Sequence, residues 1–199
     1  QTGTGIFSKS IIDGVKRSVE KVETFSLTSE DYLKPSILGI LKNWFYIRQV
    51  VRGVDIVHAI DGYPYGVIAS LANLGISKPV IITAIGSGSI RMLNGSGWKS
   101  VLLRWAYERA LSITAISSYV AREIKKILPD LEIEVINPGV DYSFYGKIGS
   151  GVDENSSYRG EYIVTQGEFK KRKGYSKILP IMKKVMTARP NLKYVIVAD

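Results

Sequence analysis

Apolar and polar positions along the chain follow two periods. Residues 37–52 carry apolar side chains at 37, 40, 41, 44, 47 and 51, the three-to-four spacing that packs one face of a helix. Residues 6–21, behind the loop Thr2-Gly3-Thr4-Gly5, read as another helix. Residues 54–60 form a short apolar run closed by Asp61-Gly62, and residues 79–85 form a second closed by Gly86; both predict buried strands. Helices are predicted over 67–74, stopped near Gly75, and over 98–111. A strand over 112–116 follows. Ser117 or Ser118 then caps a helix halted by Pro129, and a strand over 133–136 ends at Asn137-Pro138-Gly139. Strands alternating with helices point to an α/β fold with a mostly parallel, helix-covered sheet.

The pattern breaks after Tyr145. Residues 146–160 hold four glycines, three serines, Asp153, Glu154 and Asn155 without strand or helix spacing, the composition of a linker. Beyond it a strand is predicted over 162–165, a helix over 175–188 and a strand over 193–198. The organisation is thus a first domain over 1–145, a linker over 146–160 and the beginning of a second domain over 161–199. A single βαβ unit buries too little surface to hold a core alone, so that second domain is expected to continue past Asp199. The start at Gln1 rather than Met fits a trimmed N-terminus.

Composition narrows the chemistry. The 27 Lys and Arg against 18 Asp and Glu leave a net charge of +9, of which +6 falls in residues 161–199. Such a cluster suits an anionic partner (phosphate, nucleic acid or anionic lipid) or is a solvated face. Cysteine is absent and His58 is the sole histidine, so disulfides and thiolate sites are excluded and no metal site is expected. No apolar run approaches the roughly 20 residues that cross a bilayer, and the first residues lack a signal-peptide pattern. A cytoplasmic protein is the expectation.

Two loops suit phosphate. Thr2-Gly3-Thr4-Gly5 precedes a helix, where glycines admit a ligand to the backbone and the helix N-terminus offers free N–H groups; a plain glycine turn reads equally from the same residues. Gly167-Glu168-Phe169-Lys170-Lys171-Arg172-Lys173-Gly174 follows a strand and precedes a helix. That edge is where open α/β sheets bind ligands, and its consecutive cations suit a diphosphate. Asp61-Gly62-Tyr63-Pro64-Tyr65-Gly66 also follows a strand, and its carboxylate and two aromatics could hold a sugar by hydrogen bonds and stacking or could simply make a turn. Trp44, Phe45 and Tyr46 stand with Lys34, Lys42, Arg48 and Arg52 along the 37–52 helix region, which reads as an interfacial helix on anionic lipid or as a helix half packed and half wet. His58, inside an apolar strand, reads as a satisfied, partly buried histidine.

In this order the segments resemble the retaining glycosyltransferases of family 4. The resemblance is carried by Thr2-Gly3-Thr4-Gly5, by Val54-Asp55-Ile56-Val57-His58-Ala59, by Lys78-Pro79-Val80-Ile81-Ile82-Thr83 and by Ala115-Ile116-Ser117. It continues in Val135-Ile136-Asn137-Pro138-Gly139-Val140-Asp141 with Phe144, in residues 167–174 and in residues 193–199. It implies a GT-B fold: two Rossmann-like domains, each a parallel sheet with helices on both faces. It also implies transfer of a sugar from a nucleotide-diphospho-sugar to a sugar or lipid-linked acceptor, with retention and with no cofactor. The donor diphosphate would be held by Gly167, Arg172, Lys173 and Gly174, with Gly3 and Gly5. Lys173 matches the lysine of the family's basic pair. The acceptor would meet Asp61, Gly62, Tyr63 and Tyr65 on the first domain.

Three positions depart from the family pattern: Glu168 stands where an arginine is usual, and Ile60 and Ile85 stand at histidine positions. The paired glutamates and the nucleoside pocket are expected beyond residue 199, and the family's first strand before Gln1. A catalytically impaired relative, binding sugar or nucleotide as a scaffold, is the second reading. A nucleic-acid module is disfavoured, since no reader motif accompanies the charge. Peripheral contact with the inner face of a membrane completes the expectation.

Overall fold

The computed structural model describes residues 3–26, 37–140, 160–167 and 169–198. The chain divides into two units, Gln1–Gly139 and Val140–Asp199. In the first unit the order is α1 (Gly3–Val15), α2 (Ile37–Arg52), β1 (Val57–Ile60), a wide turn at Gly62–Gly66 and α3 (Val67–Ala72). There follow β2 (Val80–Ala84), α4 (Ser87–Leu93), α5 (Trp98–Arg109), β3 (Ser112–Ala115), α6 (Ser118–Lys125) and β4 (Ile133–Val135). The strands pair in parallel in the order β1-β2-β3-β4. This is the α/β, helix-flanked parallel sheet that the alternating pattern predicts.

Pairing sets the strand limits more tightly than the apolar run does. Residues 54–56 precede the reach of β2, whose ladder begins only after Pro79; the Val57 amide donates to the Pro79 carbonyl at 2.9 Å. Along β1–β3, Ala59, Val80, Ile82, Ala84, Ile113 and Ala115 are buried, one face of the pleat. With Leu93, Leu103, Ala106, Tyr107 and Ile124 they form one core. Each fully buried Leu or Ile there contributes about 1.5–3 kcal/mol by leaving water. A smaller cluster joins Ile47 and Val51 of α2 to Ala72 of α3.

Intervening positions carry a polar chain through the sheet. His58 Nε2 lies 2.7 Å from Thr83 Oγ1, and Thr83 Oγ1 lies 2.7 Å from Thr114 Oγ1. His58 thus has a partner, as expected, but the residue is exposed rather than partly buried. Desolvation by the atoms around its ring lowers its pKa from the usual value.

At the N-terminus of α6 the Ser117 hydroxyl accepts from the Val120 amide at 3.3 Å, the cap read from the sequence. α1 differs from the reading: it starts at Gly3 and stops at Val15, rather than spanning 6–21. α4 was not foreseen. Its Ser-Gly-Ser start has poor helix propensity, but burial of Ser89, Ile90 and Leu93 overrides it.

The second unit holds β5 (Tyr162–Gln166), a short 3₁₀ turn at Lys171–Lys173, α7 (Tyr175–Ala188) and β6 (Lys193–Val197). Its two strands pair in parallel from Tyr162↔Lys193 to Gln166↔Val197. Tyr175 and Met182 are its buried side chains among the described residues. Apart from Gly160, the proposed linker over 146–160 lies outside the described residues.

Candidate functional site

The strand β1 ends in a turn that gathers Asp61, Gly62, Tyr63 and Tyr65. Asp61 leaves the strand with φ 96 and ψ 141, a conformation an L-residue adopts only where its surroundings hold it. Four contacts do so. The Asp61 amide donates to the Thr83 carbonyl at 2.9 Å, and its carbonyl accepts from the Gly66 amide at 3.0 Å. Its Oδ1 accepts from the Gly62 amide at 2.9 Å and from the Ser89 hydroxyl. Burial raises the Asp61 pKa, opposed by the bonds from Ser89 and from the Gly62 and Ile85 backbones.

Gly62 is buried, and its amide also meets Ser89 Oγ at 3.1 Å. The Tyr107 ring, 1% exposed, presses its hydroxyl toward the Gly62 Cα, so that a Cβ there would sit 2.2 Å from it. That hydroxyl is buried and has no well-aligned hydrogen-bond partner. Burial pushes the phenol far up; the nearby Ser89 hydroxyl opposes this and the Asp61 charge adds to it. Tyr63 and Tyr65 are half-buried and pack against the core. The Lys99 ammonium lies 5.9 Å from the Tyr63 ring centroid.

Sequence reasoning located this turn but missed Ser89 and Tyr107, which brace it. No spacing links residue 62 to 89 or 107; only the pairing of β1 with β2 and the packing of α4 and α5 bring them together. Oδ1 of Asp61 is committed to this bracing.

In the second unit the β5–α7 loop joins Gly167 and Lys173. A Cβ at Gly167 would lie 3.5–3.7 Å from Cε, Nζ and Cδ of Lys173, so the lysine tail runs over the glycine backbone. The Tyr175 hydroxyl donates to the Gly167 carbonyl at 2.6 Å, and the Tyr175 ring meets Phe169 at 4.7 Å between centroids. Gly174 takes the left-handed conformation, φ 73, at the head of α7, a position that suits glycine. Lys173 is exposed, and Arg172 belongs to the turn Lys171–Lys173. Glu168 lies outside the described residues.

Gly3 and Gly5 do not form a loop before a helix: they are the first and third residues of α1 itself. The aromatics of α2 are divided. Phe45 and Tyr46 are 61% and 50% exposed. Arg48 donates to the Ala72 and Leu74 carbonyls at 3.0 and 2.7 Å, and its guanidinium lies 5.1 Å from the Trp44 ring centroid. That arginine ties α2 to α3. Lys34 lies outside the described residues. Among the described residues no group of three His, Cys, Asp or Glu is placed to hold a metal ion, and no helix is long and apolar enough to cross a membrane.

The family model described as Glycosyltransferase Family 4 matches residues 16–144. No curated protein matches the chain.

Proposed function

Since the chain belongs to Glycosyltransferase Family 4, we propose that it serves a transferase moving a hexose from a nucleotide-diphospho-sugar to a sugar or lipid-linked acceptor with retention. In that reaction the bond from C1 to the diphosphate oxygen breaks. A bond from the acceptor oxygen forms on the same face, and the nucleoside diphosphate departs with the electron pair, the proton lost by the acceptor hydroxyl passing to the departing diphosphate or to water. The observation that carries the reading is the β5–α7 loop, where the Lys173 tail lies along Gly167 at the C-terminal end of a parallel strand. A cation there would meet the charge that develops on the leaving diphosphate. Gly167, Arg172 and Gly174 belong to the same loop. The acceptor is assigned to Asp61, Gly62, Tyr63 and Tyr65, with Asp61 and Gly62 shaping the turn and the tyrosines touching the sugar. No resident cofactor is called for, and peripheral membrane contact is part of the reading.

The test is release of nucleoside diphosphate from a panel of nucleotide-sugars by the full-length protein. Lys173→Ala should cut kcat/KM for the accepted donor about 10²-fold, the scale of losing one charge-stabilising group. No turnover with any donor would overturn the transferase reading. Such an outcome would instead favour a sugar- or nucleotide-binding scaffold, the second reading, which Ile60 and Ile85 support by placing aliphatic side chains at the ends of β1 and β2, at histidine positions of the family resemblance.

A further inference from the structure

The helix α5 has a face that its own core packing does not use. Ser100, Leu103, Ala106 and Tyr107 are buried, whereas Trp98 is 67% and Val101 64% exposed. Trp98 and Val101 stand one turn apart on that side, while Trp105 packs partly against the core. A shallow groove of about 430 Å³ lies beside Val101, lined also by Ser100, Arg104, Trp105 and Glu108. An indole and a valine one helical turn apart offer a small apolar contact to a partner.

The charge around this face has one sign. Between Asp61 and Glu108 the sequence contains Lys78, Arg91, Lys99 and Arg104 and no Asp or Glu. Arg91, Lys99 and Arg104 are exposed, although one Arg104 nitrogen donates to the Leu93 carbonyl at 3.4 Å. The Lys99 ammonium lies 5.6 Å from the Trp98 ring centroid, so a cation is held directly beside the most exposed indole. Glu108, the one acid at the groove, sits in the last turn of α5, away from Trp98. An exposed tryptophan with a lysine at its edge, backed by further cations, matches the amphipathic layer of lipid headgroups. The ring suits the interfacial depth, and the cations reach phosphates.

We propose that this face of α5 docks on an anionic bilayer surface, with Trp98 and Val101 entering the headgroup region and Arg91, Lys99 and Arg104 engaging lipid phosphates. The inference gives the membrane contact of the proposed function a location and rests on that part of the reading alone. It moves the contact from α2, where Arg48 is half-buried and donates to the Ala72 and Leu74 carbonyls at 3.0 and 2.7 Å, to α5, where Lys99 and Arg104, with Arg91 of α4, are all exposed.

The experiment is co-sedimentation of the full chain with phosphatidylcholine vesicles, with and without phosphatidylglycerol, at low and high salt. Binding should require phosphatidylglycerol and weaken with salt. Lys99→Glu with Arg104→Glu should reduce it more than tenfold, since each cation lost near such a surface is worth about fivefold. Trp98→Ala should weaken binding several-fold at either salt concentration. Phe45→Ala with Tyr46→Ala, on α2, should leave it unchanged. Circular dichroism checks that each variant is folded, as exposed positions should allow. Absence of binding to anionic vesicles would overturn the proposal. So would binding indifferent to the α5 variants, binding lost through the α2 pair, or a dimer in sedimentation velocity that Trp98→Ala dissolves, which would assign the face to a second copy. Nucleoside diphosphate release, measured separately without vesicles, fails or persists independently of these outcomes and so reports on the transferase reading alone.

Discussion

Replacing Gly62 by alanine tests how the turn after β1 is held. The added Cβ would lie 2.2 Å from Tyr107 Oη, 2.8 Å from Tyr107 Cζ and 3.0 Å from Ser89 Oγ. Tyr107 is 1% and Ser89 0% exposed, so neither can swing into solvent to make room. Overpacking a filled core typically costs about 1–3 kcal/mol, and two contacts this short place Gly62→Ala near the upper end, about 3 kcal/mol. Gly62 needs no left-handed backbone, so the cost is steric and should be relieved by trimming the partner. Tyr107→Phe removes the nearest atom. Alone it deletes a buried hydroxyl without a well-aligned partner, which is close to neutral. The double variant should therefore be more stable than the two single effects added together, by about 1 kcal/mol or more. Trp44, Trp98 and Trp105 all lie in Gln1–Gly139, so tryptophan fluorescence during urea unfolding reports this unit alone. A Gly62→Ala variant within about 0.5 kcal/mol of the parent, the range of an uneventful surface change, or a strictly additive double variant, would refute the packing argument.

Two further outcomes follow from the same unit. Burial raises the Asp61 pKa above 3.8, so the stability supplied by its protonated form is complete below that value and is lost as pH rises through the folded-state pKa. Asp61→Asn stays neutral and tolerates the positive φ. In urea titrations it should match or exceed the parent at neutral pH and lose that advantage on acidification; an advantage that grows instead toward low pH would contradict the desolvation argument. Ser117→Ala removes the α6 cap, whose bond to the Val120 amide is long at 3.3 Å. It should cost about 0.5–1 kcal/mol, read as a lower urea midpoint with unchanged slope, and an unshifted midpoint would show that the cap contributes nothing.

Much of the fold was legible because its signals are local. The helix spacing in α2 and α7 predicted their bounds, Ile37–Arg52 and Tyr175–Ala188, as the structure has them. Ser117 announced α6 through hydroxyl chemistry that acts three residues away. Gly167, Lys173 and Gly174 fall within eight residues, so a strand-end loop could be read from composition alone.

The sequence by itself thus determined the order of the strands and of the helices other than α4, the parallel α/β class and the two strand-end loops that carry polar chemistry. Tertiary structure alone decided where β1 begins, since a ladder starts only where a partner strand offers its first bond, here at the Pro79 carbonyl. It also decided that Ser87–Leu93 is helical against its weak propensity, because Ile90 and Leu93 are buried there. And it decided the part played by Asp61. In the sequence this is an acid at a strand end, open to a ligand. In the fold, Ser89 and the Gly62 amide occupy its oxygen, with Tyr107 packed behind. Residues that far apart in sequence meet only through strand pairing and helix packing, and no local pattern records it.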